Sequence, residues 1–174
     1  MSDEIERKFI VDKEHHHIFL DTRHDSYLEQ MYLQTSPTVR VTYEEHHGKE
    51  IGWIAVKGAP REGGLVRSEW EYEIPAAAAR AMMAEFSTAP ILKKERHELD
   101  VNGDIWEIDV LYLHPMGQKH LVVAEIEKPT LEDARKVELP YWVGREVTGD
   151  HRFSMVTIAQ PGGLVAAFNA AYGV

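Results

Sequence analysis

The sequence predicts an α+β fold, mainly antiparallel β, in which about eight strands close into a barrel with helices packed outside. Three observations carry that prediction. Short segments rich in Val, Ile, Tyr, Trp and Thr recur with two-residue periodicity. Turn-forming residues separate most of them. Strand after strand also carries acids and bases in register on one face, with apolar residues opposite.

Taken in order, strands are expected at Glu4 to Val11, Tyr27 to Gln34, Val39 to Glu45, Ile51 to Lys57, Val66 to Ile74, Leu92 to Val101, Ile105 to Tyr112 and Leu121 to Lys128. The links His46-His47-Gly48-Lys49, Gly58 to Gly64 and Asn102-Gly103-Asp104 read as hairpin turns, which makes the sheet an antiparallel meander. Helices are expected from Pro75 to Phe86, where alanine is dense, from Thr130 to Glu138 with Thr130 as N-cap, and from Leu164 to Tyr172. They are expected to cover the outside of the barrel. No repeat or long linker divides the chain, so residues 1–174 read as one domain, and a 44% hydrophobic content is enough for a real core.

Composition excludes several classes of function. The chain has no cysteine, which removes disulfides, thiolate-zinc sites and cysteine nucleophiles and fits a cytoplasmic protein. Met1-Ser2-Asp3-Glu4-Ile5-Glu6-Arg7-Lys8 alternates charge with apolar residues and has neither the apolar run of a signal peptide nor that of a membrane span. A formal charge of −10 argues against nucleic acid as a partner, since binding a phosphate backbone relies on a basic surface. It leaves room for a local basic pocket.

The charged faces define such a pocket. Glu4, Glu6 and Lys8 share one face of the first strand, with Ile5, Phe9 and Val11 opposite and Arg7 interrupting the apolar side. Arg40 lies on the third strand and Lys57 ends the fourth. Arg67, Glu69 and Glu71 share a face of the fifth strand against Trp70, Tyr72 and Ile74. Lys94 with Arg96, Glu107 with Asp109, and Glu125 with Glu127 continue the pattern. On any one strand this could be a solvated outer face. Repeated on five, it points to a closed barrel whose charges line the lumen and must pair with each other, with metal or with a ligand.

Glu4-x-Glu6-x-Lys8, Arg67-x-Glu69-x-Glu71, Lys94-x-Arg96, Glu107-x-Asp109 and Glu125-x-Glu127 together resemble the CYTH family of triphosphate tunnel metalloenzymes across nearly the whole chain, as does Glu146-Val147-Thr148-Gly149-Asp150-His151-Arg152-Phe153. The resemblance implies a closed eight-stranded tunnel and a metal-dependent hydrolase of a triphosphate-containing small molecule. Inorganic tripolyphosphate is the favoured substrate and Mg²⁺ or Mn²⁺ the cofactor. It implies phosphate contact by Lys8, Arg40, Lys57, Arg67, Lys94, Arg96 and Arg152, since guanidinium forks and lysine charges suit phosphate oxygens. Glu4, Glu6, Glu125 and Glu127 are the expected metal ligands, with Glu69, Glu71, Glu107 and Asp109 in second rank. Glu4, Glu6, Lys8, Lys94 and Arg96 are the expected catalytic group.

Departures from the pattern bear on the substrate. Thr42 stands where many relatives carry a second arginine, Phe153 where tyrosine is common and Met155 where asparagine is frequent. Thiamine or nucleoside triphosphates, cyclisation of ATP as in class IV-type adenylate cyclases, a non-catalytic polyphosphate or nucleotide sensor, and a carrier for another anion are the alternatives. A homodimer is compatible with the chain, which carries no motif for one. His15-His16-His17 and His46-His47 read as solvated loop histidines, and Trp53, Trp70, Trp106 and Trp142 as core.

Overall fold

The structure is a computed structural model and describes residues 2–86, 88–113 and 119–173. The expected strands form as β1 (Ser2–Val11), β2 (Ser26–Thr35), β3 (Thr38–His46), β4 (Lys49–Lys57), β5 (Val66–Ile74), β6 (Ile91–Val101), β7 (Asp104–Tyr112) and β8 (His120–Glu127). All pair antiparallel in the order β5-β4-β3-β2-β6-β7-β8-β1, and β1 closes the ring by pairing with β5 as well as β8. His47 and Gly48, and again Asn102 and Gly103, adopt successive positive φ angles. Their left-handed backbone matches the twist of tight hairpins, which is why Asn and Gly stand there.

Helices α1 (His17–Leu20), α2 (Ala76–Glu85) and α3 (Leu131–Lys136) lie against the outer faces. Ala79 and Met83 of α2 bury against Met31, Val41 and Tyr43. Gly52 permits the close approach, because a Cβ there would sit 2.8 Å from that of Ala79. Thr130 caps α3 as expected, its hydroxyl accepting from the Asp133 N–H. Phe9, Val11, Trp106, Ile108, Val122 and Ala124 form a second outer cluster with Phe19 and Trp142.

The C-terminal helices α4 (Met155–Ile158) and α5 (Gly163–Tyr172) also lie outside the strands, and their segment packs against one end of the barrel. Ile10, Tyr32, Leu92, Leu111, Leu121 and Val123 have the same strand parity as the charged faces, yet they cluster with Phe153, Met155, Ile158 and Ala167. One end of the barrel is therefore filled by apolar side chains. Phe153 and Met155 supply that plug, and apolar contact is what these two departures provide.

A ninth strand, β9 (Val143–Glu146), α1 and α4 were not expected from the sequence. Each is four residues long, too short to show a periodicity. The histidine reading also needs correction. His16 is buried, its Nε2 3.0 Å from both the Val11 carbonyl and the Tyr172 hydroxyl, and burial lowers its pKa to about 4. It is a neutral packing residue.

Candidate active site

A cavity of about 890 Å³ occupies the lumen, bounded by charged residues from seven of the eight barrel strands and by Leu28, Gln30 and Tyr32 of β2. The charges lie inside because the outer faces carry the residues that α1, α2 and α3 bury.

The cavity is polarised along its axis. Reading β1 forward meets Glu4, Glu6, then Lys8, while β5 gives Arg67, Glu69, then Glu71 and β6 gives Lys94, Arg96, then Glu98. Because β1 runs antiparallel to β5, and β6 shares the direction of β5 in the ring, the opposite sequence orders place acids toward one mouth and bases toward the other. Arg40 and Lys57 fall in the basic part, and Glu44, Glu98, Glu107 and Glu127 in the acidic part.

Asp109 anchors the basic side. It is fully buried and takes Lys94 Nζ at 2.5 Å and Arg96 Nε and Nη2 at 2.7 and 2.8 Å. Burial alone would raise its pKa, but Arg96 and Lys94 hold it well below the usual carboxylate range. Both its oxygens are occupied, so Asp109 acts as the counter-ion that fixes these two bases. Arg96 also pairs with Glu107 and lies 3.5 Å from Glu125. Burial, reinforced by Arg96, lowers the pKa of Lys94.

Lys8 Nζ reaches Glu125 at 2.7 Å and Glu6 at 3.6 Å. Burial opposes its charge, but Glu125 and Glu6 overcome that and hold its pKa above the ordinary lysine value. Lys57 Nζ lies 2.7 Å from Glu4 and 3.2 Å from Glu69, and Arg40 Nη2 lies 2.9 Å from Glu71.

Two basic groups retain unmet capacity. The buried Arg40 Nε has no hydrogen-bond partner among the described residues. Arg67 donates to the Gly58 carbonyl at 2.8 Å and to Thr38 Oγ1 at 3.0 Å, and among the described residues it pairs with no carboxylate. Both can still recruit an anion.

The acidic side has the opposite need. Glu6 and Glu127 are directly opposed across β1 and β8. Burial, reinforced by Glu125, pushes Glu6 up to about 7, and burial with Glu4 raises Glu127. Burial raises Glu107 and Glu69 as well. Crowded carboxylates short of positive charge favour a cation. Among the described residues, no three His, Asp or Glu side chains stand preassembled as a metal cage.

No protein-family model matches the chain. An inorganic triphosphatase of Acetivibrio thermocellus is 33% identical over 153 residues, covering 88% of this chain and 90% of that protein. The chain belongs to the CYTH family of triphosphate tunnel metalloenzymes. An inorganic triphosphatase of Nitrosomonas europaea is 29% identical, over 90% of this chain and 96% of its own length. The crystal structure of the inorganic triphosphatase NE1496 superposes with a TM-score of 0.56 over 92% of this chain and 97% of that one, and at 23% identity it speaks for the shared fold.

For this CYTH tunnel, the cavity gathers Glu4, Glu6, Lys8, Arg40, Lys57, Arg67, Glu69, Glu71, Lys94, Arg96, Glu107, Glu125 and Glu127. Asp109 lies beneath that wall. Arg152 stands apart, half exposed and held by Asp150 through Nε at 2.9 Å and Nη2 at 2.5 Å.

Several wall residues escaped the sequence reading. Glu44 and Glu98 were within reach of it, because each continues by two the alternation that picks out Arg40 with Thr42 and Lys94 with Arg96. Trp53 corrects the core assignment: it lines the cavity and donates Nε1–H to Glu44 at 2.9 Å. Trp106 and Trp142 are core, as expected, while Trp70 is half-buried. Thr42 is buried on the wall, and among the described residues its hydroxyl has no hydrogen-bond partner.

Proposed function

We propose that this chain hydrolyses a linear triphosphate held in the tunnel, inorganic tripolyphosphate before others, with Mg²⁺ or Mn²⁺ as cofactor. The observation that carries this reading is the polarised lumen, in which Arg67 and Arg40 have unused capacity for an anion while Glu6 and Glu127 have it for a cation. A metal-bound polyphosphate meets both needs. Two curated relatives named inorganic triphosphatase, each matched over most of its length, point to the same substrate class.

The donor set suits a hard divalent ion, being all carboxylate oxygen. Glu6 and Glu127, with Glu4 and Glu125 adjacent, are the residues that would hold it. When bound, the ion supplies charge neutralisation at the phosphate oxygens and a site for water. Arg67 and Arg40 bind phosphate oxygens at the basic end. Lys8, Lys94 and Arg96, fixed by Glu125 and Asp109, offer immobile positive charge to the oxygens that gain charge as water displaces the leaving phosphate in line. No covalent intermediate with the protein is required.

The test is phosphate release from tripolyphosphate, ATP and thiamine triphosphate with Mg²⁺ or Mn²⁺, set against Glu4→Gln. Metal-dependent release that falls in the variant supports the reading. A folded protein releasing nothing from any of them overturns it in favour of a sensor, and cyclic AMP from ATP would mark a cyclase. Trp53 on the wall favours a second reading, in which its ring lies beside the organic part of thiamine or nucleoside triphosphate. Among the described residues no helix is long and apolar enough to cross a membrane. We propose a cytoplasmic location, which the cysteine-free sequence fits.

A further inference from the structure

β1 exchanges neighbours part-way along one edge. Up to Ile5 that edge pairs with β5, and at Phe9 and Val11 it pairs with β9. The backbone donors between these pairings need partners from elsewhere. The Glu6 N–H finds the Leu65 carbonyl at 3.0 Å. The Lys8 N–H is met by a side chain, Thr148 Oγ1, at 3.0 Å.

A threonine hydroxyl can donate as well as accept. Thr148 Oγ1 donates to Glu146 Oε1 at 2.8 Å, and Arg7 grips the same carboxylate with Nε at 2.9 Å and Nη2 at 2.6 Å. Arg7 Nη1 also donates to the Ala134 carbonyl at 3.1 Å, and the Val147 N–H donates to the Lys8 carbonyl at 2.8 Å. The Arg7-Lys8 peptide is thus enclosed by a ring of hydrogen bonds outside the tunnel, while the Lys8 ammonium reaches Glu125 inside it.

The same turn borders the cavity. Thr148, Gly149 and Asp150 line it, and Gly149 meets the β4–β5 loop so closely that a Cβ on it would lie 2.0 Å from the Gly63 carbonyl oxygen. Lys8 and this wall segment therefore share one support.

We propose that Thr148, braced by Glu146 and Arg7, is a positioning residue that sets the Lys8 ammonium and the 147–151 turn against the bound polyphosphate. The inference rests on the reading of the tunnel as a triphosphate site. The Thr148 hydroxyl is engaged by Lys8 and Glu146, so it acts through Lys8.

Thr148→Val removes the hydroxyl at nearly constant shape, and Thr148→Ser keeps it. With tripolyphosphate and Mg²⁺, Thr148→Val is expected to raise KM about tenfold with kcat within about threefold, while Thr148→Ser stays within about twofold of wild type on both. A KM unchanged in Thr148→Val, or a loss that serine does not restore, overturns the proposal. Should Thr148→Val fail to fold, Glu146→Gln serves instead. It weakens the brace and is expected to raise KM about threefold, and an unchanged KM would be the contrary result.

The rise in melting temperature on adding tripolyphosphate separates this idea from the hydrolase reading. If wild type binds without turnover, the hydrolase reading fails and the positioning role is decided by that rise. A smaller rise in Thr148→Val supports it, and an equal one overturns it. A wild-type protein that neither binds nor hydrolyses tripolyphosphate overturns both.

Discussion

At the basic end of the tunnel, Arg67 gives its hydrogen bonds to Gly58 and Thr38 and, among the described residues, meets no carboxylate, whereas Lys94 and Arg96 on the far wall close both oxygens of Asp109. Toward the acidic end, Glu6 and Glu127 face each other, and Lys8, 3.6 Å from Glu6 but 2.7 Å from Glu125, does not offset the burial that raises Glu6. The difference separates two kinds of buried charge. Pairs such as Asp109 with Lys94 and Arg96 are internally complete and hold the wall's shape. Groups such as Arg67 and Glu6 keep capacity that a ligand could use. A buried ion pair is weak evidence of stability, but removing one partner leaves a charge with nothing to offset it.

The sharpest way to break this comparison is Asp109→Leu. With Lys94 stranded and Arg96 left to Glu107 and Glu125, the loss should be about 3–5 kcal/mol, read from denaturant unfolding. A loss below about 1 kcal/mol would mean that water or Glu107 and Glu125 already satisfy Lys94 and Arg96, and that the distinction between complete and incomplete charges is wrong.

Arg67→Met and Lys57→Met should then part company. Arg67→Met strands no acid among the described residues, so its melting temperature should stay within a few degrees while KM for tripolyphosphate rises about tenfold or more. Lys57→Met takes from Glu4 its 2.7 Å partner and leaves Glu69 only Arg40, at 3.9 Å, and should lower stability as well as binding. Equal melting temperatures for the two variants would count against Arg67 as the unpartnered base.

The third test concerns Glu6 and uses pH. Its folded pKa, about 7, lies above the ordinary value of 4.5, so the folded state holds this proton more tightly than the unfolded one. The stabilisation that follows is full below about pH 4.5 and is lost as pH rises through 7. His16, His97 and His120 have lowered pKa values and oppose this trend over part of the range. The difference between Glu6→Gln and wild type isolates the carboxylate. Without divalent metal, the variant's advantage in melting temperature should grow from pH 4.5 to about 7 and then level off. A difference independent of pH would remove Glu6 from the set of charge-starved acids.

The sequence exposed these charges because strand alternation is strict. Lys94-x-Arg96 and Glu125-x-Glu127 share a face on any extended backbone, and five such faces leave little room for an open sheet. It could not expose which charges are complete. Arg67 and Arg96 look alike in sequence, and only the closed barrel sets Arg96 beside Asp109 and Arg67 beside Thr38. The plug was hidden for a similar reason. Ile10, Leu111 and Leu121 share the parity of the charged positions, and their role depends on a C-terminal segment more than thirty residues downstream of the last of them. β9 was missed because four residues carry no period, although it supplies Glu146 and leads into Thr148.

Arg152 gives the smallest expected effect and tests where the wall ends. Its side chain is 52% exposed and its guanidinium is paired with Asp150, two residues away. An exposed pair of this kind contributes little, so Arg152→Ala should leave the melting temperature essentially unchanged. Asp150 lines the cavity, so any part Arg152 plays in binding requires the arginine to leave Asp150 for phosphate. That exchange replaces one carboxylate partner with another anion and should yield only about a two- to fivefold change in KM, against the tenfold or greater change at Arg67. If the Arg152 change instead matches that of Arg67, the basic end extends past the described wall, and the turn at 147–151 closes over the polyphosphate instead of merely bordering it.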